Sequence, residues 1–366
     1  MSFTQGGTLS AVAVLVYALM QVPVGYLTDR FGPKRLFFIG VLGTTILALA
    51  LGLVTEYWQA LAVQALSGCS RAFLFAPGLA LLSGWFPPHR QATAMGLYLV
   101  GMFVGTITLD IVGPLLVAHY SWRVPFIGFA SLGIIISFIF ARFGRVSSSR
   151  GGQQKVTIGE ILRLFRYRVM WVCGILQYIR LAIWQGIEFW LPSLLIEEKG
   201  LALQLTGLLI AIRTGIIAPS NMLGGYISDR MKNPVLVIGL SLVMLAVTVG
   251  LFIVVKSMVL LIVAIFINAL FVQMYFGPLF AFPVEILGTR TAGISRGFSN
   301  LFANLGAFSF IYLLGGLRDF TGSFDSGFYA IIGLCLIGLV MTFVLARLRR
   351  TTPGRQPPAG HTGAGF

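Results

Sequence analysis

Apolar residues run through this chain in blocks long enough to cross a bilayer, and polar residues gather in the gaps between them. A helix needs about 20 apolar residues to span a hydrocarbon core about 30 Å thick. Such windows recur eleven times, near 9–28, 36–54, 58–85, 92–118, 124–143, 170–196, 203–228, 234–255, 258–284, 289–316 and 326–347. The pattern predicts an all-α membrane protein of eleven transmembrane helices.

The gaps alternate in charge. Arg30, Lys34, Arg35, Arg90, the cluster from Arg142 to Arg168, Arg230, Lys232, Arg290 and the basic residues from Arg347 to Arg355 place 18 cations on one side, against 4 on the other. The positive-inside rule makes the first side cytoplasmic, with the C-terminus inside and the N-terminus outside. The longest connection separates five spans from six. It divides the chain into a first bundle (1–144), a linker (145–169), a second bundle (170–348) and a Pro/Gly-rich tail (349–366) expected to be disordered. Within the linker, Thr157 and Glu160 fit a capping box, and apolar residues alternate with Arg163, Arg166 and Arg168. The segment reads either as an amphipathic helix on the inner leaflet or as a solvated linker.

Composition agrees with lipid as the solvent: 57% of residues are hydrophobic, 10% are charged, and the mean hydropathy is +0.91. The net charge of +15 does not indicate nucleic acid, because the basic residues sit in short gaps between spans rather than on one face. Cys69, Cys173 and Cys335 lie inside apolar runs without pairing or metal-ligand spacing, so neither a disulfide framework nor a metal site is expected. The N-terminus lacks a basic region before its apolar stretch and reads as a retained span, not a cleaved signal.

Gly25-Tyr26-Leu27-Thr28-Asp29-Arg30-Phe31-Gly32-Pro33-Lys34-Arg35 stands at the cytoplasmic end of the first span. Gly225-Tyr226-Ile227-Ser228-Asp229-Arg230-Met231-Lys232 stands 200 residues later at the same end of another span. Two such strings in register indicate an internal duplication. On these strings the chain resembles the major facilitator superfamily, whose signature loop follows the second helix of each half. Trp85-Phe86-Pro87-Pro88-His89-Arg90, Ser121-Trp122-Arg123 and Phe189-Trp190-Leu191-Pro192 extend the resemblance over nearly the whole chain. It implies two pseudo-symmetric helical bundles around a central cavity, transport by alternating access, and a gating loop comprising Gly25, Asp29, Arg30, Gly32 and Arg35 with Asp229 and Arg230 as its second copy. Asp29 is then the latch, set against a neighbouring helix N-terminus. Because the loop follows the first span here, the resemblance also implies that the family's first helix is missing.

Six ionisable residues lie well inside the spans: Arg71, Asp110, Arg180, Glu188, Arg213 and Arg296. Each is costly in lipid and is expected to face a polar interior. At 1.5 Å rise per residue, Arg71 and Asp110 lie about 19 and 12 Å from the outer ends of adjacent helices, and Glu188 and Arg213 about 12 and 16 Å, so two ion pairs are expected. Arg180, about 24 Å down, has no carboxylate at its own depth, which makes its forked donors a candidate anion anchor. Gln177, Arg180, Trp184 and Glu188 share one helical face. Arg296, Asn300 and Asn304 form a second stripe, with Arg296 close enough to the surface to snorkel. Asn268, Gln273 and Tyr275 complete the lining. Arg71, Arg180, Arg213, Gln177, Trp184, Asn300 and Asn304 are the expected substrate-binding residues, and Asp110 and Glu188 the expected proton-coupling carboxylates.

Gly293-Ile294-Ser295-Arg296-Gly297 matches a hydrolase nucleophile string, but no strand precedes it and no buried histidine could act as base. With no phosphate-binding loop or zinc-protease motif, an enzyme or a primary pump is not expected, nor is any cofactor. The sequence predicts a monomeric transporter in the cytoplasmic membrane, moving a small organic or inorganic anion with protons, a symport. A proton-driven exporter of amphipathic cations and a non-transporting sensor or degenerate copy are the alternatives; the excess of buried arginine argues against the exporter.

Overall fold

The computed structural model describes residues 2–85, 88–144, 167–279, 282 and 292–351. These fold into eleven long α-helices: α1 (Phe3–Phe31), α2 (Pro33–Leu53), α3 (Tyr57–Trp85), α4 (Pro88–His119), α5 (Arg123–Phe143), α6 (Arg168–Ser193, continued by a π-helical turn over Leu194–Glu198), α7 (Leu203–Met231), α8 (Pro234–Val254), α9 (Met258–Val272), α10 (Ala292–Thr321) and α11 (Asp325–Thr351). Among the described residues there is no strand, and eleven segments are long and apolar enough to span a membrane. The expected linker and tail lie largely outside the described residues.

Helix ends follow local chemistry. α1 starts at Phe3, earlier than hydropathy places it, because Ser2 and Gln5 close a reciprocal capping box over its first turn. Both copies of the duplicated loop end their helix with a positive φ. In the first copy Gly32 takes φ 85° and Pro33 opens α2. In the second, Lys232 takes φ 48°, Asn233 caps α8 through Leu236 N–H, and Pro234 opens it. Lys232 is the one non-glycine residue with positive φ among those described. α9 departs from the uninterrupted span expected over 258–284: it breaks into a turn at Gln273–Tyr275 and resumes at Phe276. Pro278 accounts for the break, because it has no N–H for the carbonyl of Met274 and its ring crowds that carbonyl.

The first half packs through α1 against α3 and α2 against α3 and α5. The second packs through α6 against α10, α8 against α9 and α11, and α7 against α9. The larger apolar core lies in the second half, running from Val169 to Leu345 around Ile183, Leu242, Val249, Ile265 and Phe252. Two seams join the halves, α1 against α10 and α4 against α7. Both lie at the end away from Arg30, Lys34 and Arg230, called here the far end, as opposed to the basic end. In the first seam the N–H groups of Phe3 and Thr4 donate to the Asp319 carboxylate at 3.0 and 2.6 Å, and the Thr4 hydroxyl donates to the same group. The Arg318 guanidinium lies 5.1 Å from the Phe3 ring centroid. In the second seam Gly207 lets α7 meet the backbone of α4: a Cβ there would stand 2.4 Å from the Asp110 carbonyl oxygen and 2.5 Å from Pro114 Cγ.

Candidate functional site

The break in α9 and one face of α6 together build a buried polar cluster in the second half. Arg180 is 3% exposed. Its Nε donates to Gln177 Oε1 one turn earlier at 2.8 Å, and one terminal nitrogen donates to Gln273 Oε1 at 2.8 Å. Gln273 is the first residue of the turn, so the loss of helix at Pro278 places this amide where a continuous helix would not. The guanidinium also lies 4.8 Å from the Phe276 ring centroid, in cation–π range. Among the described residues no carboxylate reaches Arg180. Two nearby buried groups also lack partners, Gln177 Nε2 and the Tyr275 hydroxyl. The cluster is therefore a cation held entirely by neutral groups among the described residues, with spare donors beside it.

Further along the same face, Trp184 is half-buried with its Nε1 unpartnered. Glu188 forms an ion pair with Arg213 of α7. Arg213 is 1% exposed, and its Nε and second terminal nitrogen have no partner. Asp110 stands across the seam: its Oδ2 accepts from the Thr214 hydroxyl at 3.3 Å, and it lies within Coulombic reach of both Glu188 and Arg213.

The expected Arg71–Asp110 pair does not form. The two residues lie at neighbouring depths but point differently: α4 packs onto α7 at Gly207, and the Asp110 carboxylate meets Thr214 there. Arg71 is exposed and makes no ion pair among the described residues. Asn304 is buried, but its Nδ2 bonds Asn300 within α10, at 2.8 Å to the carbonyl oxygen and 3.3 Å to Oδ1. Asn268 donates to Thr248 at 3.0 Å and ties α9 to α8, an interhelical contact rather than a lining one. In the duplicated loop Gly25 and Gly32 are half-buried, and Arg30, Arg35, Asp229 and Arg230 are exposed. Arg230 bonds the Tyr226 hydroxyl at 3.2 Å. The side chains of Asp29 and Arg296 lie outside the described ones.

Sequence reasoning passed over Thr214, Phe276 and Asp319. Pro278 was the available signal for Phe276, since it predicts a break just before it. Thr214 and Asp319 carry no signal of their own, because their importance comes from which helix of the other half they meet.

Two bundles of membrane-spanning helices with charged side chains in their interior have the architecture of a membrane transporter. Residues 1–311 match the Major Facilitator Superfamily, and the chain belongs to that family, whose members move solutes and are not enzymes. It is similar to the probable nitrate/nitrite antiporter NarK1 of Thermus thermophilus, at 28% identity over 246 residues, 63% of this chain and 54% of that protein. It is also similar to a hexuronate transporter of Bacillus subtilis, at 23% identity over 380 residues, 98% of this chain and 89% of that protein. The chain thus spans about half the length of the first relative and most of the second. Its fold matches a bacterial homologue of the human lysosomal transporter Spinster, crystallised in an inward-facing and occupied conformation. The TM-score is 0.83 at 16% identity, covering 98% of this chain and 92% of that one.

Proposed function

We propose that this protein is a proton-coupled secondary transporter of a small organic or inorganic anion, working by alternating access in the cytoplasmic membrane. One observation carries the reading: Arg180 is a fully desolvated cation with only neutral partners. A buried charge without a counter-ion is strongly disfavoured, and an anionic solute supplies the missing charge at the moment it binds. The wider balance agrees. The described membrane-embedded charges are Arg71, Arg180 and Arg213 against Asp110 and Glu188, and the one ion pair among them consumes Arg213 and Glu188. The relatives support an anion independently, one being named for nitrate and nitrite and the other for hexuronate.

In this reading the basic end faces the cytoplasm, as the charge bias requires, and the far end is the outer gate. The two halves, 1–144 and 170–348, move against each other about the linker. Arg71 extends the positive lining from the first half, Gln177, Gln273 and Trp184 orient the solute, and Asp110 and Glu188 carry the coupling proton.

Purified protein in liposomes, with the outside acidified, is tested for saturable uptake of labelled nitrate and of labelled hexuronate. Uptake of at least one is expected. Arg180→Gln should abolish it and Arg180→Lys should leave a weakened transport, since lysine keeps the charge and loses the fork. Undiminished anion uptake in Arg180→Gln, or uptake of a lipophilic cation in place of either anion, overturns the proposal.

A further inference from the structure

The contact between Asp110 and Thr214 has a property that neither residue has alone. Asp110 belongs to α4 in the first half and Thr214 to α7 in the second. Thr214 lies two turns beyond Gly207 on the same face, and it is 4% exposed. Helical side chains tilt toward the N-terminus of their helix. The helices run antiparallel, so each side chain leans toward the other across the seam.

The Thr214 oxygen lies 3.3 Å from Asp110 Oδ2 and 3.0 Å from the carbonyl oxygen of Ile210. A hydroxyl has one proton to give. If Asp110 is ionised it only accepts, so Thr214 can donate to the carboxylate or to Ile210 but not to both. If Asp110 is protonated, its O–H donates to the Thr214 oxygen while Thr214 donates to Ile210, and both contacts become hydrogen bonds. Charged groups of both signs stand around this contact. Glu188 of α6 faces Asp110, and Arg213 of α7 lies beside it, paired to Glu188. On α3 the charged residue is Arg71, which makes no ion pair with Asp110. On α5 the charges are Arg123 and Arg142, at opposite ends of the helix.

We propose that Thr214 is a positioning residue for the coupling proton, its hydroxyl holding protonated Asp110 so that proton uptake closes the α4–α7 seam. When the halves part at the far end, Asp110 leaves Thr214 and Glu188 for water and releases its proton more readily. The closed seam therefore binds the proton more tightly, and by linkage acid favours closure while alkali favours opening. A proton taken up from the open far end would thereby shut that end behind itself. This rests on the proposed transport cycle for its role, but the seam is measurable without any solute.

The test uses the full chain in nanodiscs with Cys69, Cys173 and Cys335 replaced by serine. Spin labels are placed at Tyr120→Cys beyond α4 and Ala202→Cys before α7, both exposed positions, and distances are read by pulsed EPR from about pH 5 to about pH 9. The short-distance population should grow on acidification. Asp110→Asn, which donates permanently as a protonated carboxyl does, should hold the short distance at every pH. Thr214→Val should reduce the acid-induced gain about five- to tenfold, the value of one hydrogen bond, and Thr214→Ser should restore it. A pH response unchanged in Asp110→Asn, or identical in Thr214→Val and the parent, overturns the inference. Acid closure in a protein that takes up neither anion would sink the transport reading and leave the proton-sensitive seam standing.

Discussion

A methyl group at position 207 separates a seam that opens from one that does not. In Gly207→Ala the new Cβ stands 2.4 Å from the Asp110 carbonyl oxygen and 2.5 Å from Pro114 Cγ, where ordinary contact begins at 3.4 Å. Neither obstacle can rotate away, one being backbone and the other a ring fixed to it. α4 and α7 must therefore part by about 1 Å, or the core on either side must yield; overpacking of this kind costs about 1–3 kcal/mol. The cost falls on the conformation closed at the far end and vanishes where the halves have separated. At about 1.4 kcal/mol per tenfold, the equilibrium should move toward the open form by about fivefold to about a hundredfold. The Tyr120 and Ala202 labels report this directly as growth of the long-distance population, with thermal stability in detergent nearly unchanged. Gly224→Ala is the control. Its Cβ would lie 1.6 Å from the Met274 carbonyl oxygen inside the second half, so it should lower the melting temperature without shifting the distances. If Gly207→Ala lowers the melting temperature and leaves the distances unmoved, the α4–α7 contact belongs to a rigid core and the far end is no gate.

Two further predictions concern charges. Glu188→Gln strands Arg213, 1% exposed, without its counter-ion. Loss of one partner of a buried pair costs about 3–5 kcal/mol, so a large fall in melting temperature is expected, and adding Arg213→Gln should recover most of it. A double variant as unstable as the single one would show that the pair was not the cause. Asp319→Asn replaces one accepting oxygen of the α1 clasp by an amide that can only donate. Labelling of Thr4→Cys by a membrane-impermeant thiol reagent should quicken in this variant and quicken more in Asp319→Ala, and equal rates in all three would refute the clasp.

How much of this was legible beforehand depends on whether a property is local. The spans and the duplicated loop could be read from the sequence, because span length and helix-end charge are set by the bilayer and by neighbouring residues. Arg180's isolation was also legible, since depth follows from counting residues and no carboxylate shares its level. The direction of a side chain around its helix was not. Counting placed Arg71 and Asp110 within reach of each other, yet Asp110 meets Thr214 where Gly207 and Pro114 nest α4 against α7. The apolar window for the first span begins only at residue 9 for a related reason: Thr4 and Gly7 serve a contact with α10, three hundred residues away in sequence. Gln273 lay between these cases. Its polarity was visible, but its position beside Arg180 depends on the break that Pro278 imposes.

The distribution of bond strength supports the proposed movement of the halves, rather than of single helices, as units. The strongest interaction described, the Glu188–Arg213 pair, joins α6 to α7 within the second half, and disrupting it exposes a charge at a cost of about 3–5 kcal/mol. The contacts between halves are of another kind. Asp110 meets a hydroxyl, and Asp319 meets a hydroxyl and two backbone N–H groups at an exposed helix start, where water can replace each bond as it breaks. Close packing at Gly207 gives these seams shape without burying a charge that would resist separation. Separating the halves at the far end thus strands no unpaired ion, whereas pulling α7 away from α6 strands two. The proposed cycle, opening one end at a time, would follow the low-cost path through this structure, with the contact of Asp110 and Thr214 at the seam that parts.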